Sequence, residues 1–163
     1  MKSAQLEISY SVYQDSDELS ESDKNLLLRA REVTKLAYAP YSKFNVAAVA
    51  LLANGQIVEG TNQENASTPA GLCAERVLLS TASMLFPNIQ INAMAISYDN
   101  LQGKSIAPAT PCGICRQTLQ EYEDRLKHPI RLILGGLEGQ VFIFEKAGLL
   151  LPFAFTGTAM KKN

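Results

Sequence analysis

The sequence is short of several things, and each shortage excludes a class of function. No charge of one sign dominates: fifteen Lys and Arg stand against sixteen Asp and Glu in 163 residues, a formal net charge of −1. A protein that coats a nucleic acid polymer carries a basic face, and this balance supplies none. Long apolar runs are missing too. The longest, Val46 to Ala53, has eight residues, well short of the ~20 that span a bilayer. Met1 to Tyr13 holds one Lys and no continuous apolar core, so it does not read as a targeting segment. The expected location is cytoplasmic, with no membrane partner. Cysteine and histidine are scarce: Cys73, Cys112 and Cys115 cannot all pair within one chain, and the lone histidine is His128. In a reducing compartment, clustered cysteines are expected to bind metal or do chemistry rather than form bridges.

What is present is a globular composition, 47% apolar and 19% charged. The length fits one domain able to bury roughly 70% of its unfolded surface. Gln5 to Tyr13 alternates, with Leu6, Ile8, Tyr10 and Val12 on one face, and reads as a strand. A polar linker, Gln14 to Ser22, ends in a helix cap at Ser20 or Ser22. The first helix runs to about Tyr38, with Leu26, Ala30, Val33 and Ala37 at helical spacing and Pro40 as its stop. Val46 to Leu52 and Gln56 to Thr61 form a hairpin around Ala53, Asn54 and Gly55, and a loop follows to Gly71. A second helix starts near Cys73, with Val77, Leu78, Thr81, Ala82 and Leu85 inward. After a strand at Ile91 to Tyr98, a third helix starts near Cys112 and buries Cys115, Leu119, Tyr122 and Leu126. Arg131 to Leu134 and Gln140 to Phe144 are short closing strands. This alternation defines an α/β chain with one mixed sheet and helices on its faces.

Both central helices therefore open at a cysteine. Cys112 and Cys115, three apart, share a side of their helix. Helix starts carry free N–H groups and partial positive charge, which favour thiolate over thiol. Three thiolates meeting there make a soft, tetrahedral zinc site with water in the fourth position, the arrangement of a catalytic zinc. Glu75, in the first turn after Cys73, leans back over the helix end and can accept a proton from that water without ligating the metal. Zinc with three thiolates leaves a net negative charge, so the guanidinium of Arg76 helps restore the acidity of the water. Arg116 could share that task or lie on the surface. A cysteine-centred cluster of this form, with its glutamate, is a known zinc deaminase signature.

The segments Ala39-Pro40-Tyr41-Ser42-Lys43-Phe44, Asn62-Gln63-Glu64-Asn65-Ala66, Cys73-Ala74-Glu75-Arg76 and Pro111-Cys112-Gly113-Ile114-Cys115-Arg116-Gln117 stand in the order seen in cytidine deaminases. The chain resembles the small, homotetrameric, zinc-dependent branch of that family from about Leu26 to Phe155. The resemblance implies a three-layer α/β/α sandwich around a five-stranded mixed sheet. It implies one Zn²⁺ per chain and hydrolysis of cytidine and deoxycytidine to uridine and deoxyuridine, with release of ammonia. Residues 1–19 are then an N-terminal extension and 20–163 a single catalytic domain. By the resemblance, Cys73, Cys112 and Cys115 hold the zinc and Glu75 shuttles protons. Asn62 and Glu64 hold the ribose hydroxyls, Ala66 and Ala74 meet the pyrimidine through their backbones, and Phe44 is an aromatic wall. Phe155, in the apolar stretch Leu149 to Phe155, stacks on the base bound by a neighbouring subunit, so that four chains share their sites.

Two positions depart from the family pattern. Thr68 stands where an aromatic residue is usual, and Ala47 where Gly is usual. Two rival readings remain at this point: a deaminase of another cytosine nucleoside, such as blasticidin S, and a zinc-binding interaction module without catalysis.

Overall fold

The structure, a computed structural model, describes residues 1–160. Its strands are β1 (Ser11–Tyr13), β2 (Phe44–Leu52), β3 (Ile57–Thr61), β4 (Ile91–Asn100), β5 (Arg131–Gly135) and β6 (Val141–Phe144). Its helices are α1 (Glu21–Val33), α2 (Ala74–Leu85) and α3 (Gly113–Leu126). The strands form one sheet in the order β1-β6-β5-β4-β2-β3, with β4 and β5 parallel and every other pair antiparallel. Among the described residues no helix is long and apolar enough to cross a membrane.

The sheet has six strands, not the five expected. The additional one comes from the N-terminal stretch: Ser11, Val12 and Tyr13 pair with Ile143, Phe142 and Val141. Without it β6 would be a bare edge, and aromatic contacts reinforce the ladder. Tyr10 stacks on Phe144 with ring centroids 5.0 Å apart and meets Phe142 at 5.2 Å.

Period-two alternation sorts the strand residues between two cores. On one face α1 packs Leu26, Leu27, Ala30 and Val33 against Ala47, Val49, Ala95 and Ile133. On the other, Leu78 and Leu79 of α2 and Leu119 and Tyr122 of α3 cover Ala48, Met94, Ile96 and Leu132. The expected three layers are the ones found, with local differences. Ser20 caps α1 through its hydroxyl, but the helix ends at Val33, where the chain tightens into a 3-10 turn, Thr34–Leu36, and Ala37 is only half-buried. In α2 the buried stripe runs through Glu75, Leu79 and Ala82, which leaves Leu85, the last helical residue, 56% exposed.

Two contacts seat α2 against the sheet and against α3. At Gly60 of β3 a Cβ atom would lie 2.5 Å from Leu78 N and 2.6 Å from Ala74 O. Only glycine allows α2 to press its backbone onto the sheet this closely. The Tyr122 hydroxyl then donates to Leu79 O at 2.6 Å, tying α3 to α2. Further along α3 the buried carboxylate of Glu123 accepts from the backbone N–H of Ile130, Ala147 and Gly148 at 2.7, 2.9 and 3.0 Å.

Candidate active site

Cys73 is the N-cap of α2 and Cys112 the N-cap of α3, and neither side chain caps a backbone N–H of its own helix. Their sulfurs are therefore free for another partner. Cys73 Sγ lies 3.8 Å from Cys112 Sγ, which lies 3.5 Å from Cys115 Sγ, and all three fall within 4.8 Å of one another. Sulfurs around a tetrahedral zinc, with Zn–S about 2.3 Å, are about 3.8 Å apart. The donor set fits zinc in chemistry and spacing, one ion per chain. Cys115 is fully buried, Cys73 half-buried and Cys112 exposed, so the cluster opens to one side.

The charges around the sulfurs are arranged to keep a thiolate. Hydrogen bonding from the Cys115 thiol outweighs the cost of burial, and with help from Arg76 pulls Cys73 down to about 5. Cys115 is pushed up in turn, because it keeps the proton of that bond and is buried. Arg76 donates to Gly71 O at 3.0 Å and approaches Cys73 Sγ at 3.9 Å, and its buried Nε has no partner. Arg116 is spent elsewhere: it donates to Pro111 O, Leu150 O and Thr110 Oγ1 at 2.7, 3.2 and 3.2 Å. It clamps the chain entering α3 to the C-terminal segment.

Glu75 is 4% exposed and lines a cavity of about 470 Å³ together with Cys73 and Cys112. Burial raises its carboxyl above the usual range, and the neighbouring Cys73 charge adds to this. A carboxyl so placed holds a proton to higher pH than an exposed one does. Ala74, fully buried, also lines the cavity.

The far wall is built by β2 and the loop after β3. Phe44 stacks on Tyr98 of β4, with centroids 4.7 Å apart and planes 15° from parallel. Asn62 Oδ1 accepts from Val46 N at 2.8 Å, and its Nδ2 donates to Phe44 O at 2.9 Å. Glu64 Oε2 accepts from Tyr41 N and Ser42 N at 2.9 and 3.3 Å. Bonding to Ser42 holds this carboxyl below its ordinary range. Phe44, Asn62 and Glu64 all line the same cavity, whereas Ala66 lines an adjoining one. Phe155 stands apart: it is 63% exposed, outside the lining of either cavity, and its carbonyl accepts from Gln117 Nε2 at 2.8 Å. Thr68 lines both cavities, while Ala47 is fully buried in the core beneath α1, on the face away from the site.

Sequence reasoning passed over several lining residues. Ile114 lies inside the motif around Cys112 yet was read only as part of it, and Thr110 falls in an irregular loop with no periodicity. Tyr98, which backs Phe44, carries no signal in the sequence beyond its place in a strand.

Comparison with known proteins agrees with this geometry. The family model for the cytidine and deoxycytidylate deaminase zinc-binding region matches residues 20–127. The cytidine deaminase of Halalkalibacterium halodurans is 34% identical over 139 residues, 85% of this chain and 98% of that protein. That of Mycobacterium tuberculosis is 34% identical over 137 residues, 82% of this chain and 90% of its own. Among solved structures, the cytidine deaminase from Burkholderia pseudomallei superposes with a TM-score of 0.70 at 33% identity, over 84% of this chain and 100% of that one. Sheet, helix starts and sulfur cluster together define a zinc-binding deaminase fold. The chain belongs to the cytidine deaminase family.

Proposed function

We infer that the protein is a zinc-dependent cytidine deaminase, converting cytidine and deoxycytidine to uridine and deoxyuridine with release of ammonia. The observation that carries this reading is the buried Glu75 carboxyl in a cavity that Cys73 and Cys112 also line, with Cys115 behind them completing three sulfurs at zinc spacing.

Cys73, Cys112 and Cys115 hold the ion. A zinc there would supply Lewis acidity, lowering the pKa of the attacking water toward neutrality. Glu75 takes a proton from the attacking water and passes it to N3 of the pyrimidine, which makes C4 electrophilic. The water oxygen bonds to C4, Glu75 takes the remaining proton from that oxygen and delivers it to the amine, and the C4–N4 bond breaks as the C4 carbonyl forms and ammonia leaves. Arg76 offsets the excess negative charge of the thiolates. Asn62 and Glu64 bind the sugar, Ala66 and Ala74 meet the base through their backbones, and Phe44 flanks it. This remote binding energy aligns C4 for attack.

A nucleoside fits better than a nucleotide. Among the described residues Arg76 is the one cation lining the first cavity, and it turns toward Cys73 rather than toward the sugar end. Residues 20–163 form the catalytic domain and 1–19 an extension of it. The exposed apolar side chains Phe153, Phe155 and Ile114 support a closed homotetramer in which Phe155 completes a neighbour's site.

The test is a substrate panel followed by loss of the cytosine chromophore, with zinc measured on the same sample. Turnover of cytidine by protein holding one zinc per chain is the expected result. Inactivity of zinc-loaded protein on every cytosine nucleoside would overturn the assignment.

A further inference from the structure

One wall of the cavity is a face of the sheet itself. β2 and β4 run antiparallel there, with Val46 opposite Tyr98 and Phe44 opposite Asn100. Residues two apart on a strand share a face, so Phe44, Val46, Ile96 and Tyr98 lie on the same side. Phe44, Val46 and Ile96 line the cavity; Tyr98, 6% exposed, is outside the lining. Phe44 and Tyr98 are diagonal neighbours across the strand pair, close enough for aromatic side chains to meet. Their rings stack with centroids 4.7 Å apart and planes 15° from parallel.

The backbone of Phe44 is fixed from both ends. Its N–H donates to Ser42 Oγ at 3.1 Å, and its carbonyl accepts from Asn62 Nδ2 at 2.9 Å. What is left to the half-buried residue is rotation of its side chain. Tyr98 covers one face of the ring, and the rotation that would turn that ring out of the cavity wall breaks the stack. Tyr98 is itself buried in a strand that is paired along its length with β2, so it is the fixed member of the pair.

We propose that Tyr98 is a positioning residue: it holds the Phe44 ring in the orientation that flanks the pyrimidine, and so sets the affinity for substrate without touching it. The proposal rests on the deaminase reading and on the place given there to Phe44. A phenyl ring carries no proton and holds no metal, so Phe44 meets the base alike before and during the reaction. Loss of such a contact raises KM and leaves kcat in place. A residue needed for folding alone would instead lower the active fraction, and with it kcat and zinc content.

The experiment measures kcat and KM for cytidine, zinc content and Tm on the zinc-loaded full chain. Tyr98→Leu fills the space without a ring and should raise KM by roughly three- to tenfold, the value of an aromatic stack, with zinc content unchanged and kcat within about twofold. Tyr98→Phe keeps the ring and should hold KM within about twofold of the unsubstituted chain. In a Phe44→Leu background, Tyr98→Leu should add less than about twofold, because the effects of residues in contact do not add. Tyr98→Met, whose chain adapts to irregular space, serves in its place if Tyr98→Leu does not fold. An unchanged KM, equal effects of Tyr98→Leu and Tyr98→Phe, or the full loss repeated in the Phe44→Leu background would overturn the role. Failure of both aliphatic variants to fold would overturn it too, by assigning Tyr98 to the core alone. Absence of cytidine turnover by the unsubstituted chain would overturn the deaminase reading, and the positioning role with it.

Discussion

Asn62 holds Val46 as a neighbouring strand would, accepting its N–H at 2.8 Å while donating to Phe44 O at 2.9 Å. An asparagine amide has two donors and two acceptor sites, so one of each remains for a sugar hydroxyl. The residue thus supports the wall of the site and faces its ligand. Asn62→Ala should lower stability by about 1–3 kcal/mol, since two backbone groups lose their partner. It should also reduce kcat/KM for cytidine more than for free cytosine. Denaturant unfolding and kinetics on both substrates check this; equal losses on the two would remove Asn62 from sugar binding.

The three sulfurs predict metal content. Cys73→Ala, Cys112→Ala and Cys115→Ala should each lose most of the zinc, measured by elemental analysis of dialysed protein. Full zinc in all three variants would be incompatible with the site.

Glu75→Gln should keep zinc and fold while losing turnover. The amide cannot accept a proton, and general acid–base groups typically contribute about 10²–10⁴-fold. Near-normal kcat in a correctly folded, zinc-loaded variant would exclude Glu75 as the shuttle.

Gly60→Ala tests the seating of α2. The added methyl would lie 2.5 Å from Leu78 N, against backbone that cannot swing aside as a side chain can. Overpacking of this kind costs about 1–3 kcal/mol, and the displacement should carry Cys73 and Glu75 with it. A lower Tm together with weaker zinc retention is expected; an unchanged Tm would show that the contact is slack.

Phe155 is 63% exposed on the single chain, which suits a role in a neighbour's site. Phe155→Ala should weaken nucleoside binding by about 1–3 kcal/mol, as for loss of a base–aromatic stack elsewhere. Light scattering should report four chains. A fully active monomer, or unchanged kcat/KM in the variant, would reject site sharing.

The helix starts and the cysteine cluster were legible because local rules govern them: periodicity, capping position and spacing in the chain. The sixth strand was half legible. The alternation of Leu6 to Val12 marked extended chain, but pairing with β6 depends on Tyr10 meeting Phe142 and Phe144, across more than 130 residues. Glu123 and Arg116 show the same limit. Each looks like an ordinary surface residue of an amphipathic helix, yet Arg116 holds Leu150 O and Glu123 holds Ala147 N, backbone groups that no local pattern brings near. The adjoining cavity was illegible for a related reason, since its walls come from two loops whose spacing only the folded sheet sets.

The cluster draws one sulfur from α2 and two from α3, with all of β4 and a long loop between them. An ion held there therefore cross-links two stretches of chain that the sheet alone must otherwise keep in register, and its binding free energy is also assembly free energy. A chain cut in the loop between β4 and α3 would divide the site between its fragments. Neither piece alone could form the three-sulfur site, so zinc would act as a chemical suture, with reassembly of the halves following its concentration.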